Sequence, residues 1–346
     1  MGDEAAQHFA DASQNERQHW RSIVLFGRNV ASYKFALAKS LLELSRSDRE
    51  KVSLDELAVP FSRHVCEHLA QVDRQGTFER SKFLDACRFH NAGRITDDEL
   101  RDATVLLGFN NVIDAFHVVG PSDVPTRFFT DERSTGGGIR LTDSMLKLAS
   151  TPSAVDLALE TESRWRLVEE AWTGRAQGQQ VVVLYDAPRE LLVPALTGKR
   201  RPITEVRPAL NGYQKGHCFY CFAPIGLAKA GLSADVDHFL PHSLMSRGLP
   251  LNLDSPWNLV LACQTCNRGP AGKFALLPHA RYLERLYRRN EFLIGSNHPL
   301  RETLILETGG SIAARQRFLR SALDLAATVV TGPKGWTAPD EQEALF

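Results

Sequence analysis

The chain predicts an α+β protein: a mainly helical N-terminal region, then a small zinc-bound strand–loop–strand–helix module, then C-terminal helices. Three observations predict it. Apolar residues recur at spacings of three and four through much of the first 180 positions, the signature of amphipathic helix. Two Cys-x-x-Cys pairs, 218–221 and 263–266, bracket two short apolar runs with strand character. Basic amphipathic stretches follow from Ala280 and from Ser311. The 346 residues, 43% apolar and 24% charged, suit an ordinary globular chain of more than one domain. No run of about 18 apolar residues is present, so no membrane span is expected. Met1-Gly2-Asp3-Glu4 lacks the basic start of a secretory signal, so a cytoplasmic place is expected.

Residues 1–19 read as a polar tail, and 20–180 as a mostly helical domain suited to regulation or targeting. Helical spacing runs from Trp20 to about Leu44. Ser53-Leu54-Asp55-Glu56 fits a capping box, in which the Ser hydroxyl and the Glu carboxylate each satisfy a free backbone N–H. Further helices are expected near 62–72, 79–89, 97–107 and 110–116, with Thr96 or Asp97 as a cap. Cys66 and Cys87 fall in this helical part and read as small core residues. Little strand signal precedes residue 118. Pro121, Pro125 and Gly136-Gly137-Gly138 mark 119–140 as loop with a short hairpin. A helix follows from Ser153 to about Trp172. Val181–Tyr185 is a strand within a strand-and-linker stretch, 181–203. Residues 204–278 carry the chemistry, and 279–346 hold C-terminal helices and a Pro/Gly-containing tail.

The cysteines come first in that chemistry. A Cys-x-x-Cys turn aims two thiolates at one point, and two such turns complete a tetrahedral ion. Cys218, Cys221, Cys263 and Cys266 therefore form one four-thiolate site for a structural ion, Zn²⁺ first and iron as the alternative, with no position left for a substrate. Such spacing in a cytoplasmic chain indicates metal rather than disulfide.

Inside the bracket stand Val236-Asp237-His238-Phe239-Leu240-Pro241 and Trp257-Asn258-Leu259-Val260-Leu261-Ala262, and then Cys266-Asn267-Arg268-Gly269. The two runs read as strands and a helix is expected to start near Asn267. Over roughly residues 215–275 this pattern resembles the HNH endonuclease family with its ββα-metal fold, in an Asp-His/Asn/Asn form. The resemblance implies cleavage of phosphodiester bonds leaving 5′-phosphate and 3′-hydroxyl ends. The residue types suit that chemistry. His238 titrates near neutral pH and fits a general base. Asp237 and Asn267 offer hard oxygen atoms to a catalytic Mg²⁺ or Mn²⁺. Asn258 is read as the residue that pins the loop between the strands. Each residue alone has a plain structural alternative, such as a turn former or a helix cap; their coincidence inside the four-cysteine bracket carries the reading. His242 and His217 are weaker candidates.

Charge points to a polyanion. Lys199–Asn290 holds 13 Lys/Arg against 5 Asp/Glu, although the whole chain is neutral. Arg268 and Lys273 are read as phosphate contacts. Lys199-Arg200-Arg201 and the helical stripe Arg281, Arg285, Arg288 and Arg289 are read as backbone-tracking cations. The expected partner is nucleic acid, DNA first and RNA as the alternative, with a protein partner for the N-terminal helices. His64 and His68 share a helix face and are taken as structural. Two functions remain: a DNA endonuclease, in a setting such as defence against foreign DNA, or a zinc-stapled binding module that does not cut.

Overall fold

Asn15 opens the first helix: its side-chain oxygen accepts the Arg17 N–H in the computed structural model, which describes residues 15–26, 29–47, 49–78, 80–195, 202–227, 233–331 and 334–346. The helix therefore begins inside the stretch expected to be a polar tail. The chain forms two units, 1–178 and 179–346. The stretches 181–203, 204–278 and 279–346 thus fall in one unit. Among the described residues no helix is long and apolar enough to cross a membrane.

In the first unit, α1 (Glu16–Leu25) and α2 (Tyr33–Leu44) divide what the periodicity joined into one helix. Strand β1 (Lys51–Ser53) leads into α3 (Leu54–Leu69), whose start is the expected Ser53/Glu56 capping box. That helix runs straight through Pro60 and absorbs the separate helix expected near 62–72. Proline removes one backbone hydrogen bond there. Burial of Leu57, Phe61 and Val65 on one face keeps the helix whole. Next come α4 (Lys82–Asn91), α5 (Asp97–Leu107), capped by Thr96, and α6 (Val112–Ala115). Cys66 and Cys87 are both buried.

The expected loop at 119–140 is more ordered than its Gly/Pro content suggested. It holds a hairpin of β2 (Val118–Val119) and β3 (Ser122–Asp123), then β4 (Phe129–Glu132), α7 (Arg133–Gly136) and β5 (Gly138–Leu141). Strand β5 lies between β1 and β4, antiparallel to both. The glycines serve this sheet. Gly137 takes a left-handed φ of 69°, and a Cβ on Gly138 would collide with the Val52 carbonyl. Helices α8 (Asp143–Ser150) and α9 (Ser153–Ala176) complete the unit.

Polar pairs cross this core. Arg21 donates two hydrogen bonds to the Glu160 carboxylate, at 2.8 and 2.9 Å, with both side chains buried. His68 stacks on Trp165 with ring centroids 3.4 Å apart, bonds Glu169 at 2.8 Å and reaches Glu162 at 3.2 Å. The carboxylates beside His68 come from α9, about a hundred positions away, so local spacing could not reveal them.

The second unit starts with β6 (Val183–Asp186), β7 (Leu191–Pro194) and β8 (Thr204–Glu205), an antiparallel sheet with β7 central. Helix α10 (Val206–Gln214) delivers the chain to the first cysteine pair. Strand β9 (Asp235–His238), α11 (Ser243–Ser246), β10 (Leu259–Ala262) and α12 (Gln264–Arg268) follow. The unit ends with β11 (Leu277–Pro278), α13 (Arg281–Gly295), α14 (Arg301–Thr308), α15 (Ile312–Val329) and β12 (Lys334–Trp336). Strand β12 pairs in parallel with β11, so the tail returns to the cysteine-bearing segment.

The buried Arg21–Glu160 pair allows a stability test. Removing one partner leaves an uncompensated buried charge, which costs about 3–5 kcal/mol. Glu160→Ala is expected to lower urea stability by that amount, and the Arg21→Met/Glu160→Leu double variant by clearly less. An additive loss in the double variant contradicts the pairing.

Candidate functional site

The two Cys-x-x-Cys turns meet. Sγ atoms of Cys218, Cys221, Cys263 and Cys266 all lie within 4.8 Å of one another, and those of Cys221 and Cys263 are 3.7 Å apart. Four sulfurs about 2.3 Å from a central ion would be about 3.8 Å apart, so a tetrahedral ion fits with little movement. Backbone N–H groups of Ala223 and Cys266 approach the Cys221 and Cys263 sulfurs at 3.5 and 3.4 Å, contacts that favour thiolate. Thiol hydrogen bonds from Cys218 and Cys221 hold Cys263 far below the ordinary thiol range. The cluster is compatible with a structural metal such as zinc, and it is the sole metal-ligand grouping among the described residues.

Local structure explains how the turns meet. Lys215, Gly216 and Phe222 have φ of 57°, 79° and 61°, which curl the chain tightly around the first pair. The Gln214 amide joins that turn to β10 by donating to the His217 and Leu261 carbonyls and accepting the Leu261 N–H. The second pair lies in α12 itself. Cys263 is its N-cap, so the helix starts at Gln264 rather than near Asn267, and it stops at Gly269.

Strands β9 and β10 pair antiparallel, with His238 opposite Leu259 and Asp237 opposite Val260. Alternation along β9 sends Asp235 and Asp237 to one face and His238 to the other. Each predicted residue then has its own partners. His238 Nε2 lies 2.9 Å from Asp254 Oδ1. A carboxylate can only accept, so Nε2 carries the hydrogen and Nδ1 keeps its lone pair. Burial lowers the His238 pKa below the usual imidazole value, partly offset by the hydrogen bond to Asp254. Tyr185 and His242 flank the ring, with centroids 5.7 and 5.1 Å from it.

Asn258 is buried and satisfies three groups of the interstrand loop. It accepts the Leu240 N–H at 2.8 Å and donates to the Leu240 and Leu253 carbonyls, both at 3.0 Å. Asp237 accepts the Tyr220 hydroxyl at 2.6 Å and the Lys273 ammonium at 3.1 Å. Burial, with Asp237 beside it, pushes Tyr220 well above the ordinary phenol range and keeps its proton in place. Asn267 donates to Asp235 at 3.0 Å. Both members of the expected Mg²⁺ pair, Asp237 and Asn267, are thus engaged with protein partners in this arrangement. Both Asp237 oxygens have donors, and a cation already neutralises the charge.

The basic residues need the largest revision. Lys273 is 0% exposed and also donates to the His238 carbonyl, so it braces β9 rather than meeting phosphate from the surface. Helix α12 ends before it, at Arg268. Arg285 donates to the Phe219 and Tyr220 carbonyls and pairs with Glu341, clamping the first cysteine turn. Arg281 pairs with Glu341 as well. Arg289 is buried against the Pro256 and Trp257 carbonyls, and burial lowers its pKa to about 10. Arg285 and Arg289 are thus held inward while Arg281 and Arg288 stay exposed, which splits the expected stripe. Arg268 stays 58% exposed beside Asp235, and Arg288 is 68% exposed beside Glu284. Lys199-Arg200-Arg201 lies outside the described residues.

Asp254, Asp235 and Tyr220 were not anticipated. Asp235 had a usable signal, since it is two residues from Asp237 on the same strand face. Asp254 precedes Ser255-Pro256 and reads as a plain turn, and Tyr220 reads as a spacer between cysteines.

Cys263→Ser, or treatment with a strong chelator, is expected to lower the melting temperature, with elemental analysis giving one tightly held ion per chain beforehand. A melt unchanged by both treatments would exclude a structural metal. Asn258→Ala should cost about 3 kcal/mol or more, because three buried backbone groups lose a partner at about 1–3 kcal/mol each. Compared with protein-family models, with curated proteins and with solved structures, the chain matches none.

Proposed function

We propose that the segment 204–278 is an HNH-type endonuclease that hydrolyses DNA phosphodiester bonds, with Zn²⁺ on its four cysteines. One observation supports this reading above the others: His238 stands at the end of β9 with its Nε2 bonded to Asp254, on a hairpin tied at its base by the cysteine cluster. A neutral imidazole whose far nitrogen is fixed by a carboxylate is a ready general base. His238 Nδ1 takes a proton from water as the water oxygen attacks phosphorus. The bond from phosphorus to the 3′ oxygen breaks, and that oxygen leaves as a hydroxyl after taking a proton from solvent. Asp254 keeps the imidazole in the required tautomer and steadies the imidazolium. Asn258 holds the loop that joins His238 to Asp254. Exposed Arg268 offers its guanidinium fork to phosphate. A divalent ion would supply charge neutralisation at the phosphate, and the family resemblance is the sole ground for it. The helical region, 20–180, would then direct or restrain the cutter, in a role such as defence against foreign DNA.

A second reading is favoured by the closed Asp237–Lys273–Tyr220 group: a zinc-stapled module that binds nucleic acid without cutting. Plasmid incubated with the full chain and Mg²⁺, Mn²⁺ or chelator separates the two. Nicking is expected with an added divalent ion, and His238→Ala should slow it by about 10²-fold or more. Equal nicking by both chains refutes the general-base assignment. Retention of plasmid without nicking under every ion supports the binding module.

A further inference from the structure

A cavity of about 500 Å³ opens in the first unit where α2 begins. Its size falls in the usual range for small-molecule sites. Ile23, Phe26, Val30, Phe78, Val112 and Val119 give it apolar walls. Tyr33 and Lys34, the first two residues of α2, also line it. The Lys34 ammonium has one hydrogen-bond acceptor, the Val118 carbonyl at 3.0 Å, and no carboxylate pairs with it among the described residues. Burial lowers its pKa to about 8. Ser32 does not cap α2 with its side chain, and the N–H groups of Tyr33 and Lys34 meet no acceptor among the described residues.

An apolar chamber whose cation has no carboxylate partner, and whose helix-start N–H groups have no acceptor, among the described residues is complementary to an anion with a greasy body. One ammonium balances one negative charge, and a dianion would leave charge uncompensated against apolar walls. We propose that this cavity binds a small apolar molecule carrying a single carboxylate, received by Lys34 and the start of α2. The site does not depend on the nuclease reading.

Calorimetric titration of the full chain with decanoate and with decanol tests it. One saturable site is expected at about pH 7, with decanoate bound about tenfold or more tightly than decanol; tenfold corresponds to about 1.4 kcal/mol. Lys34→Met should erase the preference and leave decanol binding intact. Raising the pH from about 8 to about 10 should do the same, because the ammonium loses its proton while the carboxylate stays ionised. Ala115→Trp, at an exposed position on the rim, should block both ligands. Should Lys34→Met fail to fold, the pH series and Ala115→Trp decide. Absence of saturable decanoate binding, equal affinity for the two ligands, or binding unaffected by Ala115→Trp overturns the proposal.

Discussion

An ion on the four cysteines would tie together a region whose own sheet is small. Strands β9 and β10 are four residues each and form a two-stranded sheet. Such a hairpin is marginal on its own in water. Cys218 and Cys221 lie before it, and Cys263 and Cys266 close it, so an ion on their sulfurs joins residues more than forty positions apart. Structural zinc contributes about 10–16 kcal/mol of apparent binding free energy in small domains. That is comparable to the whole stability of many domains. Arg285, Gln214 and the tail residues Glu341 and Gln342 then attach to the first turn.

Within this frame the cost of burying charge decides where side chains go. Asp237 cannot sit inside the hairpin uncompensated, and Lys273 and Tyr220 supply the compensation. The same rule places Glu160 against Arg21 in the first unit. It also separates the adjacent pair Asp237 and His238. One is locked into a buried polar group, and the other bonds Asp254 through Nε2 and keeps its lone pair on Nδ1. On the proposed reading, a base is ready before any cation is.

Several readings that depend on local spacing agree with the structure. The cysteine turns, the Ser53 and Thr96 caps, and the strand at Val183–Asp186 belong here. The readings that changed depend on which way a helix or strand faces its neighbours. Arg289 and Lys273 look like surface cations in the sequence, yet both lie inside and donate to backbone carbonyls. Asp254 reaches His238 across a loop of sixteen positions, and the carboxylates beside His68 lie on a distant helix. The sheet around β5 was hidden because glycines that read as turn formers are required where Gly138 packs on Val52.

The pairing of β11 with β12 has a consequence for synthesis. Trp336 donates to the Ala271 carbonyl, and the Gln342 N–H meets Cys221. Residues 334–342 leave the ribosome well after the cysteine turns they contact. A newly made chain therefore gains these last contacts of the cysteine-bearing segment late, once α13, α14 and α15 have been made.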